Sequence, residues 1–158
     1  MIVEITPQKI VKGATTVWNE HGDDVDIVMD PKNLQFKPGS ISEIYSFHVL
    51  ERLFIDEIMK ALANWKNCLA DNGKLFLVVD DIEYIARAYV GGDINAAIFN
   101  QNFSHPTHFD RDLLTSLLAK IGFKEDDMAI WFESVNNHVK RQPHELVICA
   151  QKQKHGTI

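Results

Sequence analysis

Short apolar runs dominate the first third of the chain. Ile2–Ile5, Ala14–Val17, Asp26–Met29 and Glu43–Phe47 are β-branched or aromatic in character and bounded by Gly, Pro, Asp or Asn, so each is expected to form a short strand. The period then changes. In "FIDEIMKALANWKNCLADNG" the residues Phe54, Ile58, Leu62, Trp65 and Leu69 recur at steps of three and four, the stripe of an amphipathic helix, with Asn72-Gly73 as its left-handed stop. "KLFLVV", Lys74 to Val79, is apolar almost without interruption, as a strand buried on both faces of a parallel sheet would be, and it ends on Asp80-Asp81. Ile82–Tyr89 reads as a second helix, broken by Gly91-Gly92. Asp110 can cap a third, whose Leu113, Leu114, Leu117, Leu118 and Ile121 form one stripe before Gly122. Met128–Phe132 and Glu145–Ala150 read as an antiparallel pair joined by a polar loop with Asn136-Asn137 and Pro143. Strands linked by helices and closed by such a pair predict an α/β sheet, mostly parallel, with an antiparallel edge.

Length and charge narrow the picture. At 158 residues and 46% apolar composition the chain suits one domain with a real core, expected over residues 1–151, with 152–158 as a flexible tail. A net charge of −6 argues against nucleic acid as a partner, because a phosphate backbone demands a basic face. Cys68 and Cys149 form no CxxC and sit among apolar neighbours, which reads as two reduced core thiols in a cytoplasmic protein. No apolar run approaches the roughly 18 residues of a membrane span, and no basic leader precedes the first strand.

"DIVMDPKNLQFKPGSISEIYSFHVLERL", residues 26–53, resembles the "D…LPF…SFDxIxSxHVLEHL" segment of class I S-adenosylmethionine (SAM)-dependent methyltransferases, in their small type 11-like branch. "CLADNGKLFLVVDDIEYIARAY" is similar to that branch's "xLKPGGxLxxxVPDLExLAxxY", and "HFDRDLLTSLLAKIGF" to its "xFxxExLxxLLxxAGF". The likeness covers residues 14–125 in the family's order. It implies a three-layer Rossmann-like sandwich around a seven-stranded sheet whose last strand is antiparallel, with ligand contacts from loops at the carboxyl ends of the strands. Carried over by position, Asp30 would meet the adenine amino group, and Ser46 and His48 would lie beside the methionine end of SAM. Asp81 matches the family's aspartate after the fifth strand, and Asp80 replaces its proline. This carboxylate pair is placed either to orient an acceptor or take its proton, or simply to begin the next helix. His48 is a general base or a hydrogen-bonded histidine at a strand end.

The departures bear on the cofactor. The family's Gly-rich turn after the first strand is here Thr6-Pro7-Gln8, which adds a branched side chain and removes an N–H where glycine permits close approach. The acid that holds the ribose hydroxyls should follow the second strand, where Trp18 stands; Glu20, two residues later, is the available substitute. Trp18 is positioned to fill the adenosine pocket or to meet a partner. The connection from Ile5 to Ala14 is shorter than the dozen or so residues a parallel crossover usually needs. Either the first strand pairs differently or the first helix is missing.

"HPTHFD" brings His105, His108 and Asp110 together, but Pro106 prevents helical presentation and no distant ligand is evident, so the cluster is read as structural or substrate-side and no metal site is expected. Two functions follow. One is a small SAM-dependent methyltransferase on a small-molecule or glycan-type acceptor, with His48, Asp80 and Asp81 as its catalytic residues, His48 beside the cofactor and Asp80 or Asp81 facing the acceptor, and with Thr6, Trp18, Glu20, Asp30 and Ser46 binding the cofactor. The other is a non-catalytic descendant that binds a protein or metabolite. An apolar patch near the first strand would favour a homodimer through that edge.

Overall fold

The computed structural model describes residues 1–130 and 142–154 in full, and the backbone alone at 131, 134–135 and 139–140. Strands β1 (Ile2–Ile5), β2 (Thr15–Trp18), β3 (Ile27–Val28) and β4 (Ile41–Phe47) come first, then helix α1 (Ile55–Cys68) and the long strand β5 (Leu69–Asp80). Helices α2 (Ile82–Gly91), α3 (Ala96–Asn102) and α4 (Arg111–Lys120) follow in succession, and β6 (Met128–Trp131) and β9 (Glu145–Gln151) end the fold, with the two-residue strands β7 (Ser134–Val135) and β8 (Val139–Lys140) paired apart from the main sheet.

The main sheet has seven strands in the order β3-β2-β1-β4-β5-β9-β6. All pairings from β3 to β5 are parallel, and β9 runs antiparallel between β5 and β6. This is the mostly parallel sheet with antiparallel pairing at one edge that the sequence pattern predicts. β1 lies inside the sheet, bonded to β2 and β4. It therefore has no free edge through which a second copy could add.

One face buries α1 and α4. Ile58, Ala61, Leu62 and Trp65 of α1 and Leu114, Leu117 and Leu118 of α4 join Val3, Ile5, Ile44, Leu75 and Leu77 of the strands in one cluster. The Trp65 indole N–H donates to the Pro31 carbonyl at 2.7 Å, which satisfies the only polar group this large ring brings into the core. The opposite face buries Tyr45, Phe47 and Phe76 with Val11 and Ala14; Tyr45 and Phe76 stack with ring centroids 4.3 Å apart. Among the described residues no helix contributes to this second cluster.

The first crossover explains the missing helix. β1 and β2 pair in parallel, and residues 6–14 between them contain no helix. They are held instead by Glu4, a fully buried residue of β1. Its Oε2 accepts from the backbone N–H groups of Ile10 and Val11 at 3.0 and 2.7 Å, and its Oε1 accepts from the Thr16 hydroxyl at 2.6 Å. A carboxylate thus supplies the acceptors that a helix would have provided to its own amides.

Elsewhere local signals act as the pattern suggests, with shifts. α1 stops at Cys68, earlier than Asn72-Gly73; Asn72 takes its left-handed φ of 61° within β5, where the register against β4 jumps from Ile41↔Leu69 to Glu43↔Lys74. α2 ends on Gly92 in the left-handed conformation, φ 84°. Asp110 caps α4 through the Leu113 N–H. Helix α3 has no counterpart in the sequence reading, and none of its residues is buried; its Phe99 packs on Tyr89 and Phe103 instead. Lys152 exchanges backbone hydrogen bonds with Asn72 and Gly73, and Gln153 donates to Asp127. Phe132, Asn136-Asn137 and residues 155–158 lie outside the described residues.

Candidate functional site

The carboxyl ends of the parallel strands converge on two neighbouring sites, separated by the turn of residues 49–53. The first is a pocket of about 250 Å³ lined by Trp18 and Asn19 after β2, Asp30, Pro31 and Lys32 after β3, and Val49, Arg52 and Leu53 after β4. The Arg52 guanidinium lies 5.7 Å from the Trp18 ring centroid, and its Nε donates to the His48 carbonyl. Asp30 turns the chain by accepting from the Lys32 N–H through Oδ1, and Lys32 pairs with Glu57. The pocket offers an aromatic face, a carboxylate, an amide and an apolar floor. That set suits a planar heterocycle bearing hydrogen-bonding groups.

The second site is polar and tighter. After β4 the chain leaves the sheet at His48, whose φ of 52° is a left-handed conformation that costs a non-glycine residue about 1 kcal/mol or more. The following turn, Leu50–Arg52, brings Glu51 back beneath the imidazole. His48 Nδ1 lies 3.0 Å from Glu51 Oε1 and 3.6 Å from Asp80 Oδ1, and His48 Nε2 lies 3.0 Å from Glu145 Oε1. Glu145 arrives by register, since Asp80 at the end of β5 stands opposite Glu145 at the start of β9. His144 Nε2 lies 3.8 Å from Asp80 Oδ1.

Burial by itself would push the His48 imidazole down, but its hydrogen bonds to Glu145 and Glu51, with the charges of Glu51 and Asp80, raise it to about 10. At neutral pH it is an imidazolium donating from both nitrogens. Burial raises the Asp80 carboxyl. Burial also opposes ionisation of Glu145, yet its bonds from His48 and the Gln142 N–H prevail and lower it. Glu51 is 2% exposed; its Oε1 also accepts from the Asp80 N–H at 2.8 Å, and its Oε2 is buried with no hydrogen-bond partner among the described residues.

The residues expected at the site are thus divided. Trp18 and Asp30 line the pocket; Glu20 is exposed and Asn19 lines it instead. Thr6 and Ser46 are buried, 4% and 1% exposed, and neither lines the pocket; Thr6 Oγ1 accepts from the Gln8 N–H. His48 and Asp80 meet in the polar cluster. Asp81 turns away to cap α2, accepting from the N–H groups of Glu83 and Tyr84. Asp110 is occupied as a helix cap, while His105 and His108 line a crevice with Glu51 and Asp80, and the Thr107 N–H and hydroxyl donate to the Glu51 and Leu53 carbonyls. Two residues of the cluster carry no site role in the sequence pattern: Glu51, a letter of the HVLER motif, and Glu145. The H-x-x-E spacing of His48 and Glu51 was visible, but nothing local indicates Glu145.

The strand order is a known one: the chain has the class I SAM-dependent methyltransferase fold. It is similar, over 96% of its length and 85% of the other chain, to a SAM-dependent methyltransferase from Archaeoglobus fulgidus, with a TM-score of 0.67 and 11% identity. A possible histamine N-methyltransferase from Thermotoga maritima superposes with a TM-score of 0.63 at 18% identity, covering 96% of this chain and 82% of that one. The Burkholderia thailandensis 1,6-didemethyltoxoflavin-N1-methyltransferase, bound to 1,6-didemethyltoxoflavin and S-adenosylhomocysteine, does so with a TM-score of 0.62 at 13% identity, covering 97% and 71%. No protein-family model matches the chain, and no curated protein matches it. No helix among the described residues is long and apolar enough to cross a membrane.

Proposed function

We propose that this chain binds a purine nucleoside, or the nucleoside end of a SAM-type ligand, in the Trp18–Asp30 pocket, and that it does not transfer a methyl group. The observation that carries this reading is the division of the cofactor region into an open pocket after β2, β3 and β4 and a closed first connection after β1. Methyl transfer is an in-line displacement, so both ends of the donor must be held in register with an acceptor. The nucleoside half retains a cleft with an aromatic wall. Where the family resemblance would put the methionine half, Thr6 is buried and the connection is fastened to Glu4, with no helix N-terminus to offer. His48, engaged at both nitrogens, is no vacant base for an acceptor.

Calorimetric titration with adenosine, S-adenosylhomocysteine and SAM tests this. At about −0.3 kcal/mol for each of adenosine's roughly nineteen heavy atoms, the expected Kd is on the order of 100 μM. The three ligands should agree within about threefold, because the amino-acid tail gains little, and Trp18→Ala should weaken all three at least about tenfold. No heat at 5 mM adenosine would remove the nucleoside site altogether.

A second reading, an active methyltransferase on a small-molecule or glycan-type acceptor, draws on His48 and Asp80 standing together where the family resemblance puts the acceptor. It requires S-adenosylhomocysteine to bind at least about 30-fold tighter than adenosine and to accumulate from SAM when an acceptor is supplied.

A further inference from the structure

The polar cluster gathers three carboxyl groups, Glu51, Asp80 and Glu145, around the His48 imidazole, with His144 at 3.8 Å from Asp80 on its outer side. The most buried of them holds an oxygen, Glu51 Oε2, with no hydrogen-bond partner among the described residues. A buried carboxylate oxygen left in this state has lost its hydration without a replacement donor or cation. We propose that His48, Glu51 and Asp80 form a binding site for a divalent first-row transition-metal ion.

The spacing fits such an ion. Ligand atoms about 2.0–2.2 Å from a metal lie about 3.0–3.6 Å from one another in octahedral or tetrahedral arrangement. His48 Nδ1 is 3.0 Å from Glu51 Oε1 and 3.6 Å from Asp80 Oδ1, and the three donor atoms all lie within 4.8 Å of each other. The ion takes the place of the proton on His48 Nδ1, which leaves to solvent, and Glu51, bound through both oxygens, gives its otherwise unpartnered Oε2 a cation to face. His48 Nε2–H then continues to donate to Glu145 Oε1, the carboxylate–histidine–metal relay that fixes ring orientation and tautomer at metal centres.

The donor set selects the class of ion. One imidazole with two carboxylates is too nitrogen-rich for magnesium or calcium, which prefer all-oxygen shells, and lacks the thiolates that favour copper(I). Manganese, iron(II), cobalt and zinc remain. Access is from the exposed side of the cluster, where the His48 and Asp80 side chains are 36% and 21% exposed while Glu51 forms the floor at 3%. The further coordination positions open towards His144, 3.8 Å from Asp80 Oδ1, and the crevice lined by His105 and His108. This site is independent of nucleoside binding, since the pocket is lined by Val49, Arg52 and Leu53 on the other side of the same turn.

The test uses the full chain, freed of metal with chelator, titrated with Co²⁺ by visible absorption and with Zn²⁺ by calorimetry. One equivalent should bind with a Kd at or below about 10 μM, and the cobalt bands should be those of a mixed nitrogen–oxygen shell. Asp80→Asn should weaken binding at least about 30-fold. This variant keeps its fold, because among the described residues the Asp80 side chain makes only the 3.6 and 3.8 Å pairings with His48 and His144, and unchanged circular dichroism checks it. Glu51→Gln should weaken binding at least tenfold, and His21→Ala, at an exposed histidine elsewhere, should leave it unaltered. Absence of saturable binding at 1 mM of either ion, or binding that persists unchanged in Asp80→Asn, overturns the proposal.

Discussion

Glu4→Ala isolates the device that replaces the first helix. The substitution removes three hydrogen bonds made by one buried carboxylate: from Ile10 N–H at 3.0 Å, from Val11 N–H at 2.7 Å and from the Thr16 hydroxyl at 2.6 Å. Val11 and Thr16 are fully buried, so no solvent replaces the lost acceptor there, whereas Ile10 is 37% exposed and can turn to water. Two groups stranded at about 1–3 kcal/mol each, less the desolvation cost of the carboxylate that is now absent, give a loss of about 2–4 kcal/mol. That is a large share of the 5–15 kcal/mol typical of a domain and should lower the melting temperature by about 10 °C. Glu4→Gln keeps the shape and an oxygen for the two amides while its NH₂ donates to Thr16, so it should cost only about 1–2 kcal/mol. Thr16→Val should cost a similar amount, and the double variant with Glu4→Ala should be less destabilised than the sum, because both single changes break the same bond. Urea unfolding followed by tryptophan fluorescence measures all four. A loss below 1 kcal/mol for Glu4→Ala, or full additivity with Thr16→Val, would mean that the carboxylate does not hold the connection.

Three further outcomes follow from other residues. Trp65→Phe should destabilise by about 2–3 kcal/mol, combining an unpaired Pro31 carbonyl with lost indole volume, as read by denaturant midpoint. Asp81→Ala should cost about 1 kcal/mol through loss of the α2 cap and leave ligand binding unchanged, whereas Asp81→Ser should restore most of the stability; a change in nucleoside affinity would instead place Asp81 in the site. Burial pushes the Cys149 thiol up to about 12. Its unfolded counterpart ionises near pH 8.5 while the folded thiol keeps its proton, so stability falls as pH rises from about 8.5 towards 12, by about 1.5–2 kcal/mol at pH 10. Cys149→Ala should abolish that part of the slope, and equal slopes in both proteins between pH 8 and 10 would refute the assignment.

The chain's periodicities located most of its elements because the cause of each is local. An apolar stripe at helical spacing specifies α1 and α4, and a continuous apolar run specifies the buried β5. Helix α3 lacks a sequence signal for the converse reason: with no buried residue it needs no core stripe, and its Phe99 rests on Tyr89 of α2 and on Phe103 just past its end. The fold was legible through motif order, and the substitution of Thr6-Pro7-Gln8 for a glycine turn is a fact of sequence alone.

Its consequence was not. Whether a short first connection meant different pairing or a missing helix depended on what could satisfy the amides of residues 10 and 11, and the answer is a glutamate in the preceding strand. His48 and Asp80 are separate site candidates in the sequence, and Glu51 is a letter of the HVLER motif. The pairing of β4 with β5 brings His48 and Glu51 to Asp80, and the register of β5 against β9 sets Asp80 opposite Glu145 and carries that carboxylate to a histidine 97 residues away. Sequence determined which chemical groups the chain owns and which elements carry them. Only the sheet, by bringing strand ends from opposite halves of the chain to one edge, decided which of those groups share a charge balance.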